Sequence, residues 1–223
     1  MAYTLPNGIT ASFSTAFSDP VSLKNLYNAN PATAEIDGDT KLAVNDVWYV
    51  TETKWSGLLH RAGAIGPLLE GNRVTLPGID TSDTWLFKPN RDNSTKIRLV
   101  TAWEAFSQSI EISTSGGEQQ YYSMNILEDP TGNTIQIPTN KSPRVITFKE
   151  IYDHKLSWYK AATTISNRRQ PIVLRLEIDG NTKTYISGYL SLNSMPKIAS
   201  NTPMESTVSF STLSDPTIIE TEQ

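Results

Sequence analysis

Cysteine is absent from the 223 residues, which excludes disulfides, thiolate nucleophiles and cysteine-based zinc sites. Stability has to come from packing and assembly instead. Histidine is scarce: His60 and His154 lack the H-x-x-x-H or H-E-x-x-H spacing that brings two imidazoles to one metal. No G-x-S-x-G elbow positions a serine nucleophile, and neither a P-loop nor a G-x-G-x-x-G turn is present to cradle phosphates. Asp37-Gly38-Asp39 begins as a calcium loop does, but Lys41 occupies a ligand position and Trp48 stands where the closing glutamate belongs. These absences predict no metal, no cofactor and no enzymatic role. No run reaches the roughly eighteen apolar residues of a membrane span, and Met1 to Pro6 carries no signal-peptide pattern, so no membrane partner is expected.

Positive charge is also in short supply. The net charge of −4 argues against a dedicated nucleic-acid binder, which needs clustered cations to displace counterions from phosphates. Its distribution is uneven. Residues 1–53 hold Lys24 and Lys41 against Asp19, Glu35, Asp37, Asp39, Asp46 and Glu52, whereas residues 141–175 hold eight cations against Glu150 and Asp153. Only 19% of residues are charged, while serine, threonine and asparagine are abundant, a balance that fits a sheet protein with broad polar contact surfaces.

Period-2 alternation dominates the chain. Residues 1–43 read as an N-terminal arm and loop with one short strand over Ile9–Phe17, followed by a β-rich core over 44–216 and a mobile tail over 217–223, all within one domain. Val44–Glu52 is enriched as a strand, and the glycine- and proline-broken stretch 56–80 reads as a long loop. Strands follow at Thr84–Phe87 and from Lys96 through Trp103. Ser109–Ile112 and Tyr122–Ile126 flank Ser115-Gly116-Gly117-Glu118 as a hairpin, and Asp129-Pro130-Thr131-Gly132-Asn133 supplies the next turn.

Thr147-Phe148-Lys149-Glu150 has the spacing of a capping box and predicts a flanking α-helix over about 147–162, with Phe148, Ile151, Tyr152, Leu156 and Tyr159 on its apolar side. His154 then lies on a solvated helical face. Ile172–Ile178 and Thr184–Leu192 alternate around Asp179-Gly180-Asn181 as a long hairpin, and Ser206–Leu213 forms a last strand. The fold class expected is mainly β, with sandwich- or barrel-forming sheets and one flanking helix. Trp48, Trp85 and Trp103 in strands and Trp158 in the helix read as core; only Trp55 reads as a loop residue.

The segments RVITFKEIYDHKLSWYKAA, PIVLRLEIDGNTKTYISGYLSLNSMP and SNTPMESTVSFSTLSDP, spanning residues 144–216, resemble the tail tube proteins of long-tailed bacteriophages. The likeness rests on the Asp179-Gly180-Asn181 turn, on Ile186-Ser187-Gly188-Tyr189-Leu190 and on Thr207-Val208-Ser209-Phe210. It implies a β-sandwich with a flanking helix, six copies per ring and one sheet of each subunit joining a barrel around a lumen. The implied partners are further copies of the chain, a tape-measure protein, a tail terminator and double-stranded DNA passing through the lumen. Such a lumen should carry acidic and hydroxyl side chains, because a positive wall would hold phosphates and slow passage.

Asp37, Asp39, Arg144, Arg168, Arg169 and Tyr189 are the expected subunit-interface residues, with the acidic arm of one ring meeting the basic 141–175 face of the next. The competing expectation is a carbohydrate- or receptor-binding β-sandwich from a tail tip, and the third is a hydrolase with an unrecognised triad.

Overall fold

A computed structural model describes residues 8–36, 42–89, 95–125, 133–178, 180–198, 200 and 202–220. Strands β1 (Thr10–Phe17), β2 (Val21–Tyr27), β3 (Ala32–Ile36) and β4 (Val47–Glu52) are followed by β5 (Ala62–Ala64), β6 (Leu68–Leu69), β7 (Arg73–Leu76) and β8 (Thr95–Ala105). Then come β9 (Ser109–Ser115), β10 (Gln119–Asn125), β11 (Thr134–Lys141), β12 (Val145–Ile151) and the helix α1 (Ser157–Arg168). The chain closes with β13 (Ile172–Ile178), β14 (Thr182–Leu192), β15 (Glu205–Thr212) and β16 (Thr217–Glu220). The fold is mainly β, with one helix and curled sheets forming a half-barrel.

One hydrogen-bonded path runs β6-β7-β3-β2-β8-β1-β13-β14-β15-β12-β9, while β10 and β11 pair only with each other. Three apolar clusters fill this arrangement. Leu23, Leu26, Trp48, Val50, Leu58, Val74, Leu76 and Ile97 pack the first half. Phe13, Ile146, Phe148, Leu174, Ile186, Val208 and Phe210 pack the second half under α1, which contributes Trp158, Ala162 and Ile165. Those three recur at four- and three-residue steps, so they share one helical face. Val47, Tyr49, Ala62, Ala64, Val173 and Tyr185 join the halves. Because β13 sends Ile172 and Leu174 into one cluster and Val173 into another, its first three residues are buried on both faces, while Arg175 and Glu177 continue the face of Val173.

Residues 10–36 do not form an arm: β1, β2 and β3 are integral strands, and Phe13, Leu23, Leu26, Ala32 and Ala34 are core. The helix is displaced as well. Val145–Ile151 forms β12, because Ile146, Phe148 and Glu150 all point inward on a strand and the strand satisfies its backbone on both sides, against β15 and β9. The helix starts instead at Ser157 after Leu156, and His154 lies in the turn before it. The capping-box residues Thr147 and Glu150 therefore lie on opposite faces of a sheet.

Three other readings change. Thr84–Leu86 is a turn, fastened by the Asp83 carboxylate accepting the Trp85 amide at 2.9 Å, and Trp85 is 80% exposed rather than core. Trp55 in contrast is buried, donating its indole N–H to the Lys88 carbonyl at 2.8 Å. The 56–80 stretch holds β5, β6 and β7 around a 3-10 turn at Ser56–Leu58. Residues 217–220 are β16, paired to β14, not a mobile tail. The turn over 129–132, together with Asp37, Asp39 and Asp179, lies outside the described residues.

β9 and β10 do not pair with each other either. β9 pairs with β12, and β10 with β11. Gly116 and Gly117 both take positive φ, at 76° and 83°, so the chain turns out of the sheet between the two strands. Any Cβ at Gly116 would lie 2.0 Å from the Pro143 carbonyl oxygen, so both legs of the projecting hairpin cross there in backbone contact.

Candidate assembly surfaces

The outer face of β14, β15, β12 and β9 is a hydroxyl field. Register places Ser191, Ser209, Thr147 and Ser113 in one cross-strand row, and Tyr189, Ser211, Val145 and Ser115 in the next. The following row is Thr207, Lys149 and Glu111, with the Lys149 ammonium held on the Glu111 carboxylate. That contact raises the Lys149 pKa through its hydrogen bond to Glu111 and that carboxylate's charge, so the pair stays neutral as a unit. This face thus offers hydroxyls and a cancelled charge pair, with no free cation in these three rows.

The same four strands end at an open margin. β9 closes the hydrogen-bonded path, and among the described residues no strand pairs with its far side. Its residues are exposed apart from half-buried Ile112, and Ile110 shows 52% of its surface. A seven-residue edge with unpaired backbone groups is a template for another strand. The other end of the path, β6, exposes Leu68 and Leu69.

Behind the hydroxyl face, Glu150 is fully buried between two serines. Its Oε1 accepts from Ser109 Oγ at 2.7 Å, while Oε2 and the Ser206 hydroxyl have no partner among the described residues. Burial pushes the Glu150 pKa up to about 7, against the lowering effect of the Ser109 bond. A raised carboxyl pKa means that the folded chain holds its proton longer than the unfolded one, so stability is full below the ordinary pKa of 4.5 and falls as pH rises through about 7. Glu150→Gln is expected to remove this loss and raise the melting temperature at pH 8 by several degrees, on the order of 2 kcal/mol. Calorimetry at pH 5 and pH 8 checks it; an unchanged pH dependence in the variant would refute the assignment.

The β10–β11 hairpin stands outside all three clusters. Tyr122 faces Ile137 and Met124 faces Ile135, four apolar side chains on one face, each 36–60% exposed. A lone two-stranded ribbon is marginal in water and needs a surface to lie on.

A cleft of about 360 Å³ opens at the hairpin's base, lined by Arg61, Lys141, Arg144, Gly117 and Ser214-Asp215 among others. Arg61 Nη1 donates to the Asp215 and Pro216 carbonyls at 2.7 and 3.1 Å. Burial lowers the Arg61 pKa, and the Asp215 charge opposes that shift. The Arg144 guanidinium lies across Gly117, where a Cβ would come within 2.9 Å of its Nε.

Of the expected interface residues, Arg169 and Tyr189 come together, lining a second cleft of about 470 Å³ with Ser166, Asn167, Leu190 and Ser191. Arg169 caps α1 in the left-handed conformation, with φ of 53°, and Arg168 is in the last helical turn. Arg144 is in the other cleft, apart from both. Three acids of the acidic 1–53 segment are used within the subunit: Glu35 accepts from Asn25 and Tyr27, Asp46 from the Ala43 amide, and Glu52 pairs with Lys96. Sequence reasoning missed Arg61 and the apolar hairpin face, and took Lys141 only as one cation of the basic 141–175 stretch; the Tyr122/Met124 and Ile135/Ile137 alternation was the available signal for the hairpin face. Among the described residues no cluster of three or more His, Asp or Glu is placed to hold a metal, and no helix is long and apolar enough to cross a membrane.

Comparison with known proteins adds two findings. A family described as "Phage tail tube protein, TTP" matches residues 53–221. A solved structure described as "Tail of empty GTA particle computed with helical refinement, C6 symmetry" is similar over 54% of this chain and 87% of that one, with 10% identity and a TM-score of 0.39. No curated protein matches by sequence.

Proposed function

Because the chain belongs to the phage tail tube protein family, it is a structural subunit of a virion tail, and we propose that its β14-β15-β12-β9 face lines the channel of that tube. The observation that supports this most directly is the pairing of a hydroxyl-covered, charge-cancelled face with an open edge on the same four strands. β9 of one subunit adds to the sheet of its neighbour, so backbone groups left open in the free chain are satisfied in the ring. A wall of serine and threonine hydroxyls, whose one lysine in these three rows is paired with Glu111, offers passing phosphates weak, exchangeable hydrogen bonds and no unpaired cation to hold them.

Successive rings are joined by the β10–β11 hairpin, whose apolar quartet is covered by the adjacent ring. Arg169 and Tyr189 form part of the contact between subunits, as does Arg144. Six copies per ring, a tape-measure protein, a tail terminator and transient double-stranded DNA complete the partner set, and assembly occurs in the host cytoplasm. The role is non-catalytic and the whole chain acts as one tube domain.

The absence of cysteine makes the test direct, since Ser113→Cys is then the only thiol. A small maleimide is expected to label it in free subunits and in tubes, whereas a maleimide on a large protein carrier labels only free subunits. Equal labelling of tubes by the bulky reagent would place this face outside the channel.

A further inference from the structure

The base of the hairpin is basic, and the sequence that joins its two strands is acidic. At the base, the cleft holds Arg61, Lys141 and Arg144 against Asp215 alone. Arg61 is committed to two backbone carbonyls, but Lys141 and Arg144 make no ion pair among the described residues. Gly117 leaves room for the Arg144 guanidinium, so this cation is built into the cleft. At the other end, the sequence joining β10 to β11 runs Ile126-Leu127-Glu128-Asp129-Pro130-Thr131-Gly132, with two adjacent carboxylates and no cation.

We propose that the Glu128-Asp129 segment of one copy seats in the Arg61–Lys141–Arg144 cleft of a second copy. The inference rests on the ring-stacking role of the hairpin and names its receptor site. The seven residues of β10, at ~3.4 Å each, carry the ribbon roughly 24 Å from Gln119 and Lys141 at its base to Asn125 and Thr134, between which the acidic segment is joined. Two carboxylates match the cleft's surplus of two positive charges. Many other acids already have partners inside the subunit, among them Glu52 with Lys96, Glu111 with Lys149, Glu177 with Arg175 and Lys183, and Asp80 with Ser82. A contact that joins one end of a copy to the other end of the next is heterologous, the kind of interface from which an open stack can be built.

Charge reversal tests it. Glu128→Lys with Asp129→Lys, and separately Lys141→Glu with Arg144→Glu, are each expected to raise the concentration needed for tube formation at least tenfold. All four changes in one chain restore it to within about threefold of the unmodified protein. Unimpaired assembly by either pair, or no recovery in the fourfold variant, would overturn the pairing. Should the fourfold variant lose its fold by circular dichroism, Asp129→Cys with Lys141→Cys decides instead. Mild oxidation of its tubes is expected to give a ladder of covalent multimers on a non-reducing gel; tubes that give only monomer reject the contact. If the unmodified chain forms no tubes at any concentration, the tube reading itself fails, and the two failures stay distinct.

Discussion

Gly188→Val is expected to cost the subunit most of its folding stability. The glycine sits where β14 crosses from β13 to β15, and an added Cβ would lie 2.3 Å from the Ser211 carbonyl oxygen and 2.8 Å from the Phe210 ring. The nearer atom belongs to the backbone of a paired strand, so relief requires the β14–β15 ladder to part. Even Gly188→Ala should lose about 3 kcal/mol, and valine more, since overpacking against a fixed backbone has no cheap relaxation. For a domain of this size that is a fall in melting temperature of roughly ten degrees. A valine variant melting within about three degrees of the parent chain would refute this account of the glycine.

Tyr122→Asp combined with Ile137→Asp is expected to abolish tubes while leaving the subunit intact. Both side chains are exposed in the free chain, at 60% and 45%, so the folded monomer loses little, and its melting temperature should move by no more than about two degrees. In the proposed ring-to-ring contact the pair is covered, and burying each such side chain is worth about 1.5–3 kcal/mol, so the two carboxylates should raise the assembly concentration at least about a hundredfold. Sedimentation and negative-stain microscopy read the outcome. Normal tubes from this variant would mean that the hairpin's apolar face is not a contact.

The second half of the fold was legible because its alternation is strict. Ile172 to Ile178 and Thr184 to Leu192 pair as expected, as does the strand through Val208 and Phe210, since most inward residues are apolar and the turn at Gly180 is tight. The helix start failed for a physical reason: Thr147-Phe148-Lys149-Glu150 satisfies both a capping box and a strand. The tie is broken only by β9 and β15, which arrive from 30 or more residues away, as Ser115 does opposite Val145, and cover both edges.

Residues 1–43 look like an arm because Ser12, Ser14 and Asn25 interrupt the apolar signal. Yet Ser14 is buried, its hydroxyl accepting the Val173 amide, and the Arg175 Nε donates to Ser12 Oγ at 3.1 Å. A polar residue whose partner lies more than 150 positions away cannot be read as core from its neighbours. The site was less legible than the fold. Arg144 and Tyr189 do line clefts, but Arg61 and Asp215 meet only through tertiary structure, 154 positions apart.

The long strand β8 has a mechanical consequence. Its first residues pair with β2 and β4, and its last with β1, so one unbroken backbone belongs to both halves of the half-barrel. Tension entering at the ring contacts of one half reaches the other through covalent bonds and a line of hydrogen bonds loaded in shear, which must fail together rather than unzip. A tail built from such units bends at its joints between rings before any subunit tears.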